Sequence, residues 1–92
     1  MAEISVESAP TKTGWECDVE IDPGEDHGSR HRVRVLHEDL AKWGRGAENP
    51  DDLVRRAFEF LLQREQPAEI LKSFQLSDIQ THFPEFEKAM SS

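Results

Sequence analysis

The chain has 92 residues, a formal net charge of −8 and a single cysteine, Cys17. This length fits one domain around one core. No apolar run approaches the ~20 residues that a bilayer span needs, and Met1–Ser5 is neither basic nor strongly apolar, so we expect no membrane helix and no signal peptide. One cysteine excludes an intramolecular disulfide framework, and we expect a cytoplasmic protein.

The N-terminal segment is predicted to be a flexible tail over residues 1–13, followed by a single small α+β domain over residues 14–90. Ser8–Thr13 is small and polar around Pro10, which disfavours a regular element. Ile4 and Val6 nevertheless alternate with polar neighbours. Residues 3–7 are therefore a candidate third strand beside the two strands described next.

Two segments alternate between apolar and charged residues, which is typical of strands with one buried face. In residues 15–22 the apolar side chains alternate with acids, and in residues 30–35 arginines occupy the outward positions: Arg30, Arg32 and Arg34. An antiparallel hairpin closed by Pro23–Ser29 would pair Asp22 with Arg30. The same register pairs Ile21 with His31, Glu20 with Arg32, Val19 with Val33, Asp18 with Arg34, and Cys17 with Val35.

Helices are predicted after the hairpin. His37–Trp43 reads as a short helical turn ended by Gly44 in the left-handed conformation. Asn49 and Pro50 provide the N-cap and first position of the main helix, which we expect to run to about residue 64 with one apolar stripe. The predicted fold is thus an antiparallel hairpin packed on this helix, followed by two or three short helices.

The short helices are predicted from prolines and a capping box. One helix begins at Pro67 and passes through Ser73, a second opens at Ser77 with Gln80 three residues later, and a last turn covers residues 85–90. Residues 67–83 together resemble a helix-turn-helix pattern. Residues 66–92 carry two lysines and four acids, which favours a packing role over DNA contact.

No group of residues predicts catalysis, a cofactor site or a metal site. Cys17 occupies an inward strand position, where a small buried side chain fits better than a nucleophile. The acids and His27 between Asp22 and Gly28 lack the spacing of a calcium loop. His31 and His37 do not form a ligand pair, and we place them at the sheet margin and at a helix start.

The sequence therefore predicts a small acidic interaction or regulatory module, bacterial in style and without catalytic activity, that contacts a protein partner or its own copy. Candidate partner contacts are two aromatic residues outside the main apolar stripe and the arginine strand: Trp43, Phe60, Arg30, Arg32 and Arg34. The alternative is a nucleic-acid-binding regulator using residues 67–83 or the basic strand 30–34. The net negative charge disfavours that alternative.

Overall fold

Four strands form one mixed sheet in the computed structural model, which describes residues 3–22, 29–44, 46–66 and 69–91. The strands are β1 (Glu3–Pro10), β2 (Gly14–Asp22), β3 (Ser29–Leu36) and β4 (Ser73–Gln75), in that spatial order. β1, β2 and β3 pair antiparallel, and β4 is parallel to β3. The α+β class is confirmed, whereas the expected two-stranded hairpin on one main helix is only part of this larger sheet.

Four helices accompany the sheet: α1 (His37–Trp43), α2 (Asp51–Leu62), α3 (Asp78–His82) and α4 (Phe86–Ser91). In β2 and β3 the residues of one face are buried, among them Cys17, Val19, Val33 and Val35, and those of the other face are exposed. The helices therefore cover one face of the sheet and leave the other bare. Within the described residues, no helix is long and apolar enough to cross a bilayer.

The predicted tail is wrong over residues 3–10, which form the full edge strand β1. It pairs with β2 at every position from Glu3 opposite Asp22 to Pro10 opposite Trp15. Ile4 and Val6 are half-buried against the core, so the apolar alternation that suggested a third strand is the feature that orders this segment. Pro10 ends the strand rather than preventing it.

The register of β2 with β3 differs from the prediction by two residues: Cys17 lies opposite Val33 instead of Val35. A shift of two keeps every side chain on its predicted face, so the alternation of apolar and charged residues cannot distinguish the two registers. The observed register brings Gly14 opposite Leu36. A Cβ on Gly14 would collide with the carbonyl oxygen of Val35, so glycine permits this close strand approach.

α1 begins at the predicted residue, His37, whereas α2 begins one residue later than predicted, at Asp51 with Pro50 as its N-cap. The backbone N–H of Asp51 donates to Asn49 Oδ1 at 3.1 Å, which satisfies one free donor at the start of α2. Gly44 follows α1, but its φ of −85° is right-handed, contrary to the prediction. A Cβ there would lie 2.6 Å from the carbonyl oxygen of Leu40, so close packing explains this glycine.

The helix predicted from Pro67 through Ser73 is wrong over residues 70–73. Glu69 lies in a 3₁₀ turn, and Pro67 itself lies outside the described residues. Ser73–Gln75 forms β4 instead. Main-chain bonds fix the parallel pairing, because Arg32 N–H donates to the Lys72 carbonyl oxygen at 2.7 Å and Leu76 N–H to that of Arg34 at 2.9 Å. Residues 69–83 therefore do not form the helix-turn-helix pattern that the sequence suggested.

Candidate functional site

The two aromatic residues predicted as partner contacts lie in the core. Trp43 is 1% exposed and Phe60 is 6% exposed. Both rings pack edge-to-face on Phe86, with centroids 5.4 Å apart in each pair. The guanidinium of Arg64 covers the Phe60 ring from outside, 3.7 Å from its centroid. Neither aromatic side chain offers the surface that a partner contact needs, so these two assignments are corrected.

The three arginines lie on the bare face of the sheet, as predicted. Arg32 Nε donates to Asp18 Oδ1 at 3.2 Å and lies 3.4 Å from Glu16 Oε1, while Arg30 contacts Glu20 at 3.5 Å. Arg34 is exposed and forms no ion pair among the described residues. Exposed pairs of this kind stabilise a fold by only about 0–1 kcal/mol.

A polar depression of about 650 Å³ lies on the same face. Its charged lining residues are three acids and three bases: Glu7, Asp18, Glu20, Arg30, Arg32 and Lys72. Because these charges balance and several are already paired, the depression has no excess of either sign with which to select a ligand.

A second concavity of about 380 Å³ is mainly apolar and lies beside the end of α2. Its apolar lining comes from α2, from residues 70–74, from α3 and from the residue after α3: Leu61, Ile70, Leu71, Phe74, Ile79 and Phe83. Its polar lining residues are Glu65, Glu69, Asp78 and His82. We call this concavity the α2–α3 groove.

Leu71 makes the α2–α3 groove unusual among the surfaces of this molecule. Leu71 is 61% exposed, and among the described residues it is the one large hydrophobic residue that is mostly exposed. Its neighbour Ile70 is buried and anchors the same segment to the core. A single exposed leucine is common on protein surfaces, but one beside an apolar concavity has an adjoining surface with which it can bury a partner.

The floor of the groove is backed by packed aromatic rings. Phe83 meets Phe60 edge-to-face with centroids 6.0 Å apart, and Phe74 stacks at a tilt on Phe58 at the same distance. Phe74 and Phe83 are half-buried, so each presents part of its surface to the groove and part to the core. The packed core thus holds the floor in place, and a preformed surface has a lower entropy cost of binding than a flexible one.

The segment carrying Leu71 is held to the sheet by a buried histidine. His31, 4% exposed on β3, lies with Nδ1 2.7 Å from the carbonyl oxygen of Leu71 and Nε2 2.9 Å from Ser29 Oγ. A carbonyl oxygen only accepts hydrogen bonds, so Nδ1 carries the proton and donates. The expectation that His31 lies at the sheet margin is corrected, since it belongs to the core.

The charged side chains of the groove are acidic. Glu69 Oε1 accepts from the Gln66 N–H at 2.8 Å and Asp78 Oδ2 from the Gln75 N–H at 3.1 Å, which fixes both carboxylates at the rim. With Glu65, three acids surround an apolar floor, and His82 is the remaining titratable lining residue. This combination favours an incoming segment that carries both apolar and basic side chains.

The remaining candidate groups have structural surroundings. Cys17 is fully buried, and burial, with smaller effects of Asp51, Asp18 and Glu16, raises the pKa of its thiol from 9.0 to about 12. A thiol held in its neutral form is a poor nucleophile. His37 packs edge-to-face on Trp15 at 5.1 Å.

The part of the chain that the structure describes offers no cluster of metal ligands. No group of three or more His, Cys, Asp or Glu side chains there is close enough to hold a metal ion. The loop weighed as a cation site, from Asp22 to Gly28, lies outside the described residues except for the backbone of Asp22.

The groove was not predicted from the sequence, because residues 67–83 were expected to form helices with a packing role. Ile70, Leu71, Phe74 and Phe83 are apolar at spacings that suit helices. The exposure of Leu71 depends on β4 forming, and β4 depends on bonds to a strand about 40 residues earlier. The acids Glu65 and Glu69, which lie close in sequence to these apolar residues, were the one local sign of a charged rim.

Comparisons of the chain with protein-family models, with curated proteins and with solved structures found no match.

Proposed function

We propose that this protein is a non-catalytic interaction module of the cytoplasm that binds another protein through the α2–α3 groove. The occupant is a short segment of that partner with an apolar side chain flanked by lysine or arginine. The observation that carries the proposal is the exposed Leu71 beside an apolar floor with an acidic rim. Apolar anchors provide most of the binding free energy at such sites, and rim charges select the partner.

The size of the groove supports a segment rather than a whole domain surface. A volume of about 380 Å³ lies at the lower end of the roughly 300–1,000 Å³ typical of ligand pockets. It accommodates one or two apolar side chains. The expected affinity is modest, since a short segment also loses conformational entropy when it binds.

A matched peptide panel tests the proposal. Each peptide carries the same leucine or phenylalanine anchors, flanked by lysines in one set and glutamates in the other, and binding is followed by fluorescence anisotropy. We expect the lysine set to bind more tightly, with an affinity that falls as salt rises. Equal or absent binding of both sets at low salt would contradict the proposal.

Variants of the chain separate the apolar contribution from the charged one. Leu71→Ala should weaken binding of the lysine set without unfolding the domain, because its side chain is already mostly exposed. Glu69→Lys should weaken the lysine set and strengthen the glutamate set. Glu59→Lys is the matched control, since Glu59 is exposed on α2 and does not line the groove. If Glu59→Lys changes binding as much as Glu69→Lys does, net charge rather than the groove selects the peptide.

A further inference from the structure

Within the described residues, the outer edge of β1 carries two exposed acids, Glu3 and Glu7, but few of the other features that usually keep sheet edges apart. β1 is an outer strand of the sheet and runs for eight residues. Its pairing with β2 is continuous, so no bulge twists the edge away. It contains no lysine, and its proline, Pro10, is its last residue. Long, regular edges without such protection tend to pair with another strand.

The inner face of this edge is also incompletely covered. Ile4, Val6 and Ser8 are half-buried, although they lie on the face that the helices cover. α2 packs over β1 from that side. A further strand beside β1 would cover the remaining surface of Ile4 and Val6 and extend the apolar layer beyond the present sheet.

We propose that this strand is the β1 of a second copy of the chain. Two copies pair antiparallel about a two-fold axis at Val6, which joins two four-stranded sheets into one sheet of eight strands. Such a contact is isologous, since each β1 both offers and receives the same main-chain groups. The proposal is independent of the α2–α3 groove, which lies elsewhere on the molecule.

The acidic residues of β1 select this register. With Val6 opposite Val6, Ser5 lies opposite Glu7 and Glu3 lies opposite Ala9 on the outer face. The Ser5 hydroxyl can then donate to the Glu7 carboxylate of the other copy, and the two-fold axis repeats this pair. Centring the strands at Ser5 would place Glu3 opposite Glu7, and centring them at Glu7 would place two Glu7 side chains opposite each other, both of which are destabilising.

The position of Pro10 agrees with the same register. Pairing centred on Val6 uses residues 3–9 of both strands, so Pro10 falls just outside the ladder. Proline has no N–H to donate and is tolerated at the end of a strand rather than within it. Registers displaced toward the C-terminus would bring Pro10 into the ladder and shorten it.

Sedimentation velocity over a concentration series tests the proposal directly. We expect the wild-type chain to dimerise reversibly with a dissociation constant below about 1 mM, which is the weak end of specific association. Ser5→Glu places two glutamates opposite each other at both symmetric positions and should raise the dissociation constant about tenfold. Ser5→Lys places lysine opposite Glu7 and should lower the dissociation constant. Position 5 is exposed on the outer face, and far-ultraviolet circular dichroism checks that each variant is folded.

Ser73→Glu is the control, because it makes the same substitution at an exposed outer-face position of β4. Opposite changes in the dissociation constant for the two Ser5 variants, with little change for the control, would support the register centred on Val6. A wild-type chain that stays monomeric up to about 1 mM would overturn the proposal. Equal changes in the dissociation constant for Ser5→Glu and Ser73→Glu would overturn the proposal as well. So would changes in the same direction for both Ser5 variants.

Discussion

His31 Nδ1 donates a hydrogen bond to the main-chain carbonyl oxygen of Leu71 at 2.7 Å, across forty positions of sequence. The bond connects the centre of the sheet to the one described segment that exposes a large apolar side chain. Because the imidazole is buried and also contacts Ser29, its orientation is fixed at both nitrogens. The shape of the groove rim thus depends on a residue that does not line the groove.

Replacing His31 should therefore affect both stability and the groove. His31→Leu fills the buried position with an apolar side chain but leaves the Leu71 carbonyl without its donor, which should lower the free energy of unfolding by about 1–3 kcal/mol. Peptide binding at the groove should weaken in the same variant. Ser29→Ala removes only the contact at Nε2 and should lower the free energy of unfolding by a smaller amount, about 0.5–1.5 kcal/mol. Urea denaturation measures both, and a His31→Leu variant as stable as wild type would contradict the assigned role.

Asp39 should make stability depend on pH in an unusual direction. The residue is buried at 2% exposure, and burial raises the pKa of its carboxyl above the ordinary 3.8. The fold therefore disfavours the charged form. This destabilisation is absent at low pH. It develops as the pH rises from about the ordinary pKa through the raised pKa of Asp39, and it is complete above the raised pKa.

Asp39→Asn isolates this destabilisation. The asparagine Oδ1 can still accept the hydrogen bond that Leu36 N–H now donates to Asp39 Oδ2 at 3.1 Å. We expect the variant to gain stability relative to wild type at neutral pH and to lose that advantage on acidification. Asp39→Ala also removes the hydrogen bond and should cost about 1 kcal/mol. Thermal unfolding of all three proteins across a range of pH tests this expectation. If the stability of wild type relative to Asp39→Asn increases as the pH rises, the predicted direction of the pH dependence is wrong.

Arg56 should contribute more to stability than a surface arginine does. Its Nη2 donates to the Trp43 carbonyl oxygen at 3.0 Å, its Nη1 to that of Met90 at 3.2 Å, and its Nε to Asp52 at 3.2 Å. One planar guanidinium thus joins the ends of α1 and α4 to α2. A lysine cannot reproduce this fork, so Arg56→Lys should cost about 1.5–3 kcal/mol.

Arg55→Lys is the matched control for that substitution. Arg55 is the neighbouring residue on α2 and is exposed. Its replacement should change the free energy of unfolding by less than about 0.5 kcal/mol. Equal effects at positions 55 and 56 in chemical denaturation would show that the two carbonyl contacts contribute little.

Cys17 should be inert in the folded protein. A fully buried thiol with a pKa of about 12 is almost wholly neutral at pH 7–8, and the thiolate is the reactive form. We expect Ellman's reagent to react with Cys17 only when the domain opens, and at full stoichiometry in denaturant. Rapid stoichiometric reaction without denaturant would show that the thiol is accessible.

Local sequence patterns predicted the parts of the fold that depend on local spacing. Period-two alternation identified β2, β3 and their buried faces, and Asn49 with Pro50 marked the start of α2. The same alternation could not choose between registers two residues apart, and the observed register includes a close strand approach that Gly14 permits. The hydrogen bonds of Arg56 to Trp43 and Met90 are long-range, so local spacing could not predict them.

β4 and the groove could not be predicted for a related reason. Residues 73–75 have no strand pattern of their own and become a strand because β3 offers them main-chain partners. The burial of Trp43 and Phe60 likewise depends on Phe86, which comes from α4. Where the partner of a residue lies far along the chain, the local spacing of apolar residues does not identify it.

Amide chemical-shift mapping tests the central claim, that the α2–α3 groove binds a basic, apolar-anchored segment, most directly. A lysine-flanked peptide with leucine anchors is titrated into the isotope-labelled wild-type chain. The account predicts saturable shifts concentrated at residues 69–74 and 78–83, which disappear in Leu71→Ala while the rest of the spectrum is unchanged. Shifts confined to the acidic strands β1 and β2, or shifts that persist undiminished in Leu71→Ala, would contradict it.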